Sequence, residues 1–368
     1  MQKISKKISS TFLCLALTIC CKGTTVAQEP VAQSVSQEAS RQKLLSLLAG
    51  EWVSRGIYVA TKLEIADHLQ AGPKSTEELA NLSHSNPDSL YRLLQTLSSF
   101  GIFEEISPDF FSNTESSRLL IKTSPDTLHA LSLFYGEDIS KSWSELFYSI
   151  QTGIPAFEVS FGQPVFSYFK DNPARAVLFQ EAMKEKSKAV IKSALSNYDF
   201  GQFNTICDVG GGYGQFIQSI LQKHPNLSGM VFELAEVIEK IKQQNPQFES
   251  SRCQLVSGDF FTSIPDGKDA YLLKSVIHDW DDAKAKKILK NCHQAMRSDS
   301  RLLLVEVVLQ PGDKQSYANC MDFLMLAITG GKERSLSSMT HLLEDSGFSI
   351  EHIYPTATEF SILEVKKK

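Results

Sequence analysis

The run Asp208-Val209-Gly210-Gly211-Gly212-Tyr213-Gly214 concentrates residue types that can hold a ligand. Apolar Thr205-Ile206-Cys207 precede it, and Phe216, Ile217, Ile220 and Leu221 follow at helical spacing. This reads as strand, tight turn, helix. Glycine is needed where a backbone turns sharply or approaches a ligand closely. A dinucleotide fingerprint places another glycine three residues after Gly212, and Gln215 stands there. An acid followed by G-x-G-x-G suits adenosine and amino-acid groups better than a pyrophosphate; a glycine turn without a ligand is the alternative. Glu233 lies about twenty residues on, where such sheets place a ribose-binding acid. Asp259 and Phe260, Lys274, His278-Asp279-Trp280 and Glu306 each follow the carboxyl end of an expected strand, where open α/β sheets bind ligands.

The elements that must position these residues follow from the pattern. Strands are expected at 205–208, 228–232, 253–257, 270–273 and 302–305, with helices between them. A helix is expected over 317–329, another around Leu342 and Leu343, and a terminal hairpin from 349–353 and 359–365. Residues 125–200 read as helical and rich in aromatics, some of them lining a pocket for a flat, apolar substrate. Phe179 and Met183, at i and i+4, share one helix face there. Upstream, Leu44 to Leu69 is helical, Ser75-Thr76-Glu77-Glu78 reads as a capped helix start, and Asn86-Pro87-Asp88 opens a further helix. Two short strands flank Ser107-Pro108-Asp109, which completes a winged-helix arrangement.

Between Leu44 and Leu120, 5 basic residues face 10 acidic ones, a net of -5. The whole chain carries a net charge of -5. A phosphate-binding surface requires the opposite sign, so a nucleic-acid role is disfavoured. The apolar first helices exceed what so small a module can bury alone, which points to a partner subunit. Lys3, Lys6 and Lys7, the apolar run Phe12–Cys21 and Thr25-Val26-Ala27 form the n-region, h-region and cleavage site of a secretory leader over residues 1–27. Residues 28–43 read as a Ser/Gln/Ala-rich linker. No interior stretch is long and apolar enough to span a bilayer. Cys207, Cys253, Cys292 and Cys320 are scattered singly, and no Cys/His spacing suggests a metal.

Four motifs in order, Asp208 to Gly214, Gly258-Asp259-Phe260-Phe261, His278-Asp279-Trp280 and Gly330-Gly331-Lys332-Glu333-Arg334, make the chain resemble the S-adenosylmethionine-dependent small-molecule O-methyltransferases. These are the caffeate, flavonoid, acetylserotonin and bacterial polyketide type. The resemblance covers about Leu44 to the C-terminus. It implies an α/β fold: a class I methyltransferase Rossmann-like sheet preceded by a mainly helical winged-helix dimerisation domain. The expected organisation is a dimerisation domain at 44–125, a helical connector at 126–200 contributing to the substrate pocket, and a cofactor-binding domain at 201–368. A homodimer with interlocked N-terminal helices is implied.

Carried over by position, the resemblance places Gly210 and Gly212 under the methionine part of S-adenosylmethionine, with Asp208 orienting the turn. Glu233 falls where the family has an acid on the ribose hydroxyls. The family's Asp-Leu-Pro is here Glu233-Leu234-Ala235, which keeps the charge and loosens the turn. Asp259 and Phe260 match the adenine-binding pair, and Lys274 a residue near the cofactor's polar end. Phe179, Met183 and Met325 match pocket walls. Methyl transfer needs a deprotonated acceptor oxygen, and a histidine of ordinary pKa about 6.5 is suited to take a phenol proton. The family uses a histidine fixed by two glutamates, and His278, Glu306 and Glu333 occupy those positions; no metal is required. Asp279 is expected to cap the following helix, and Glu333-Arg334 has a surface ion pair as its alternative reading. The competing functions are a decarboxylase or hydroxylase variant of the family, a nicotinamide oxidoreductase and a winged-helix regulator. A secretory leader also sits uneasily with a cofactor made in the cytosol, which leaves cytoplasmic residence as the alternative.

Overall fold

The computed structural model describes residues 29–310, 312 and 317–368. The expected leader lies outside the described residues. Two compact units divide the chain between Glu51 and Trp52.

In the first unit, Glu29–Leu48 is a helix. The expected linker is therefore helical from Glu29 onward. Its Ala, Gln, Glu and Lys residues are good helix formers, and Pro30 falls in the first turn, where the missing N–H costs nothing. Leu44, Leu45, Leu47 and Leu48 are exposed.

The second unit begins within the helix Gly50–Lys62. Ser75 caps Thr76–Ser83 with a full capping box: Glu78 N donates to Ser75 Oγ, and Ser75 N to the Glu78 carboxylate. Asn86 caps Pro87–Ser99, with Pro87 in its first turn. Strands Lys74–Ser75, Phe103–Ser107 and Phe110–Asn113 form a small antiparallel sheet. Leu79, Leu90, Leu94, Leu97, Phe103 and Phe111 fill the core of this winged-helix module.

A long helix, α1 (Pro173–Asn197), leads into the main sheet. There β1 (Thr205–Val209) runs into α2 (Gln215–Lys223), followed by β2 (Ser228–Glu233), β3 (Cys253–Ser257) and β4 (Ala270–Lys274). Then come α3 (Asp282–Ala295), β5 (Arg301–Leu309), α4 (Tyr317–Ile328), β6 (Phe348–Pro355) and β7 (Phe360–Lys367). The strand order is 3-2-1-4-5-7-6, with the two-residue strand Arg334–Ser335 beside the end of β5. Strands β1 to β5 are parallel, and β7 is antiparallel to both β5 and β6.

Period two decides which side chains meet. Ile206, Val231, Leu272, Leu303 and Val305 pack on one face of the sheet. Cys207, Met230, Phe232, Tyr271, Leu273 and Leu304 pack on the other. Both faces are covered, as a parallel sheet requires. The order reverses between β1 and β4, and that switch point opens a crevice at the carboxyl ends of the strands.

Candidate active site

A cavity of about 510 Å³ occupies that crevice. Its floor is the glycine turn. Gly210 has φ +69°, a left-handed conformation, and a Cβ there would lie 3.0 Å from Val276 Cγ2 and 3.5 Å from the Phe260 ring. Gly212, at φ +54°, donates its N–H to Glu233 Oε2 at 3.0 Å. The other Glu233 oxygen accepts from Leu234 N at 2.8 Å. Two backbone donors thus fix this carboxylate at the end of β2 with lone pairs left over. Asp208 is 2 % exposed, its Oδ2 has no hydrogen-bond partner among the described residues, and burial pushes it up to about 7 although nearby Lys274 opposes the rise. Burial also lowers Lys274 from the usual lysine range, against the pull of Asp208, Glu306 and Asp279. Asp259 Oδ1 accepts from Phe261 N at 2.8 Å. The Phe260 carbonyl is held by Asn291 Nδ2 at 2.7 Å, and its ring stands edge-on to Phe261 at 5.0 Å.

All seven sequence-predicted cofactor residues, Asp208, Gly210, Gly212, Glu233, Asp259, Phe260 and Lys274, line this one cavity. They fit an adenosine-type cofactor with an amino-acid end: a backbone cradle that a Cβ would fill, a strand-end carboxylate for a diol, and an aromatic face for a base.

The opposite side carries the titratable cluster. His278 sits in a short 3-10 turn, Ile277–Asp279, after β4. Its Nδ1 is 2.8 Å from Glu333 Oε1 and 3.9 Å from Glu306 Oε2. Its Nε2 makes no hydrogen bond to a described residue; Asp279 Oδ1 is 3.7 Å away. Possible ligand atoms of His278, Glu306 and Glu333 lie within 4.8 Å of one another. The Nδ1–Oε1 distance is that of a hydrogen bond, so a proton holds the pair together. Glu306 spends Oε1 on Val276 N and Ile277 N, at 3.0 and 2.9 Å, which ties β5 to the turn that bears the histidine. Burial acts to lower the His278 pKa, but Glu333, Asp279 and Glu306 outweigh it and push it up to about 9. Burial raises Glu306 to about 7, with His278 opposing.

Three features of this turn go beyond what the sequence predicts, although Gly331 and Arg334 stand within the Gly330-to-Arg334 motif. Arg334 is 2 % exposed rather than part of a surface pair. Its guanidinium donates to Ile277 O at 3.0 Å and Trp280 O at 2.9 Å and pairs with Asp282 at 2.8 Å, clamping both ends of the turn. Gly331 packs so closely on the His278 carbonyl that any Cβ would collide with it. Asp281, not Asp279, caps α3 by accepting from Lys284 N at 2.8 Å. Asp279 instead lies beside His278, because the 3-10 turn ends before the helix begins.

The walls are apolar. Phe179 stacks on Phe169 at 4.7 Å and meets Phe134 edge-on at 5.6 Å. Phe179, Met183 and Met325 all line the cavity, as the sequence predicts, whereas Met321 is buried and receives the Lys186 ammonium. Trp280 packs against Phe166 and Phe261 at the rim.

This sheet order, with its glycine turn and strand-end acids, defines a class I methyltransferase. Residues 143–349 match the O-methyltransferase domain family, and residues 45–123 the O-methyltransferase dimerisation domain. The chain belongs to this S-adenosylmethionine-dependent family. It is 36 % identical over 324 residues to the phenazine O-methyltransferase of Lysobacter antibioticus, covering 88 % of this chain and 95 % of that one. It is 31 % identical over 319 residues to the phenazine-1-carboxylate N-methyltransferase of Pseudomonas aeruginosa, covering 86 % and 95 %. An O-methyltransferase of neocarzinostatin biosynthesis, solved with S-adenosylmethionine and 2-hydroxy-5-methyl naphthoic acid, superposes with a TM-score of 0.74 at 30 % identity, covering 86 % and 96 %.

Proposed function

We propose that this methyltransferase acts on a hydroxyl oxygen of a small aromatic metabolite, with His278 as the general base. S-adenosylmethionine supplies, when bound, an electrophilic methyl group on a sulfonium. A hydroxyl oxygen becomes a competent nucleophile only as it loses its proton. The observation that carries the reading is the 2.8 Å contact between His278 Nδ1 and Glu333. It directs the Nδ1 proton to the carboxylate and leaves the Nε2 lone pair to accept one. Three surrounding carboxylates stabilise the imidazolium that results. A pKa of about 9 brings His278 near a phenol, whose ordinary value is about 10, so the proton transfer is close to balanced. Glu306 and Arg334 hold the turn, and the remaining contribution is alignment of donor and acceptor. An amine acceptor, of the kind named for the Pseudomonas relative, needs no such base when it binds uncharged.

Glu233 would grip the ribose diol, Asp259 and Phe260 the adenine, and Gly210 and Gly212 would pass beneath the methionine part. Two chains would pair through the exposed apolar helices at the start of the dimerisation domain.

The test is purified protein with labelled S-adenosylmethionine and matched phenol and aniline panels. His278→Ala should lose roughly 10²- to 10⁴-fold in turnover of phenols while still binding S-adenosylhomocysteine. Transfer confined to anilines, or phenol turnover unchanged in that variant, would overturn the oxygen-and-base reading.

A further inference from the structure

Lys186, on the cavity wall, has no task in the methyl-transfer reading. Phe179, Met183, Lys186 and Val190 recur at i, i+4, i+7 and i+11 along α1, so they share a face, and all four line the cavity. Three are apolar and one is an amine. The Lys186 ammonium makes its hydrogen bond to Met321 Sδ at 3.4 Å, and a thioether is a weak acceptor. No carboxylate among the described residues lies within ion-pair distance of it. Lys184, two residues earlier and exposed, pairs with Glu181 at 3.2 Å. Burial lowers Lys186 to about 8, and Lys274 adds repulsion, while Glu333, Asp279 and Glu359 act the other way from a distance. A partly buried ammonium facing a sulfur atom has no protein charge to compensate it at close range.

A second donor stands nearby. The Tyr135 hydroxyl belongs to a residue lining the same cavity, is buried, and among the described residues has no full hydrogen-bond partner, only a weaker interaction with the Tyr317 hydroxyl. Burial holds its pKa far above the usual range, so the phenol stays neutral and can donate. It lies close to the Tyr317 side chain. Tyr317 and Met321 are one turn apart on α4, so the hydroxyl and the ammonium face adjacent turns of one helix. An ammonium with three donors beside a phenol that can donate is the complement of a carboxylate.

We propose that Lys186, assisted by Tyr135, forms a subsite for a carboxylate on the methyl acceptor, which makes the acceptor a flat aromatic acid bearing a hydroxyl. The acceptor half of this proposal rests on the methyl-transfer reading above. A carboxylate could also come from the amino-acid end of the cofactor, and the experiment separates the two sources.

Two isomeric hydroxynaphthoates and their uncharged methyl esters are titrated by calorimetry into the protein, alone and saturated with S-adenosylhomocysteine. The same titrations use Lys186→Met and the charge-preserving Lys186→Arg. The expected result is that at least one acid binds the wild-type complex about tenfold or more tighter than its ester, the scale of a charge-assisted hydrogen bond. Lys186→Met should bring that ratio to about one, and Lys186→Arg should retain most of it, while S-adenosylhomocysteine affinity stays within about twofold. Equal affinity of acid and ester for the wild type, or no binding of any acid, overturns the proposal without a variant. A ratio that persists in Lys186→Met together with weakened S-adenosylhomocysteine binding assigns the lysine to the cofactor and also overturns it. Failure of the wild type to bind S-adenosylhomocysteine would instead sink the methyltransferase reading, and the acid-to-ester ratio of the protein alone would still decide the subsite.

Discussion

A histidine ringed by Glu333, Asp279 and Glu306 holds its proton more tightly than a free imidazole. At neutral pH most of His278 is therefore imidazolium, and only the neutral form can accept a proton. Turnover of a phenol should rise with pH through an apparent pKa above the ordinary 6.5, toward about 9. Glu333→Gln removes a negative charge 2.8 Å from Nδ1, so the imidazolium loses support and the pKa falls. The rising limb of kcat/KM should move to lower pH, by about one to three pH units, as kcat drops. A limb that stays in place would assign the titration to another group. The residue types here were legible: His278 and Glu333 within their motifs, and Glu306 at the end of an expected strand. The 2.8 Å pairing was not, because His278 and Glu333 are 55 positions apart and meet only through the packing of the segment after α4 against the turn after β4.

At the level of elements, the glycine turn and the Arg334 clamp do opposite jobs. The turn keeps space open. In Gly210→Val a left-handed residue would acquire a branched side chain where even a Cβ sits 3.0 Å from Val276. A conformational cost of about 1–2 kcal/mol joins the loss of the cradle. Calorimetry should show S-adenosylhomocysteine binding at least tenfold weaker, and tight binding in that variant would contradict the cradle. The clamp fills space instead. Arg334→Lys keeps the charge but cannot reach two carbonyls and Asp282 at once. We expect about tenfold lower kcat with little change in cofactor affinity. The regular elements were readable because period and capping chemistry are local: Ser75-x-x-Glu78, Asn86-Pro87, and the alternation of Ile206 with Cys207. Misreadings came where neighbours decide. Asp279 resembled a cap because it precedes a helix, yet the intervening turn gives the cap to Asp281. Glu29 to Gln42 reads as a linker from its polar composition and is helical, because the same residues are adequate helix formers.

On the scale of the whole molecule, each unit exposes large apolar side chains in the first helices of the chain. Trp52 is 73 % exposed, and Leu44, Leu47 and Leu48 are exposed as well. Such surface is normally covered by a second chain. The protein should run as a dimer in size-exclusion chromatography with light scattering, and Leu47→Asp with Leu48→Asp should shift it toward monomer. A wild-type monomer at micromolar concentration would count against the pairing. Residues 1–27 pose a separate question that only fractionation with N-terminal sequencing answers. Cleavage after Ala27 is the outcome expected of a leader, and full-length protein in the cytosol would refute it.

The distribution of sulfur has a practical consequence. Cys207, Cys253 and Cys292 are buried free thiols, while Cys320 on α4 is exposed. Burial pushes Cys253 up to about 11 and Cys292 to about 12, and raises Cys207 as well, so the nucleophilic thiolate is suppressed at all three. A chain lacking residues 1–27 should therefore show one fast-reacting thiol toward a maleimide and three that react only when the sheet opens. The slow phase becomes a built-in clock for opening of the α/β core, readable without any assay of turnover. Slowing of that phase by S-adenosylhomocysteine would report how far cofactor binding holds β1, β3 and α3 shut.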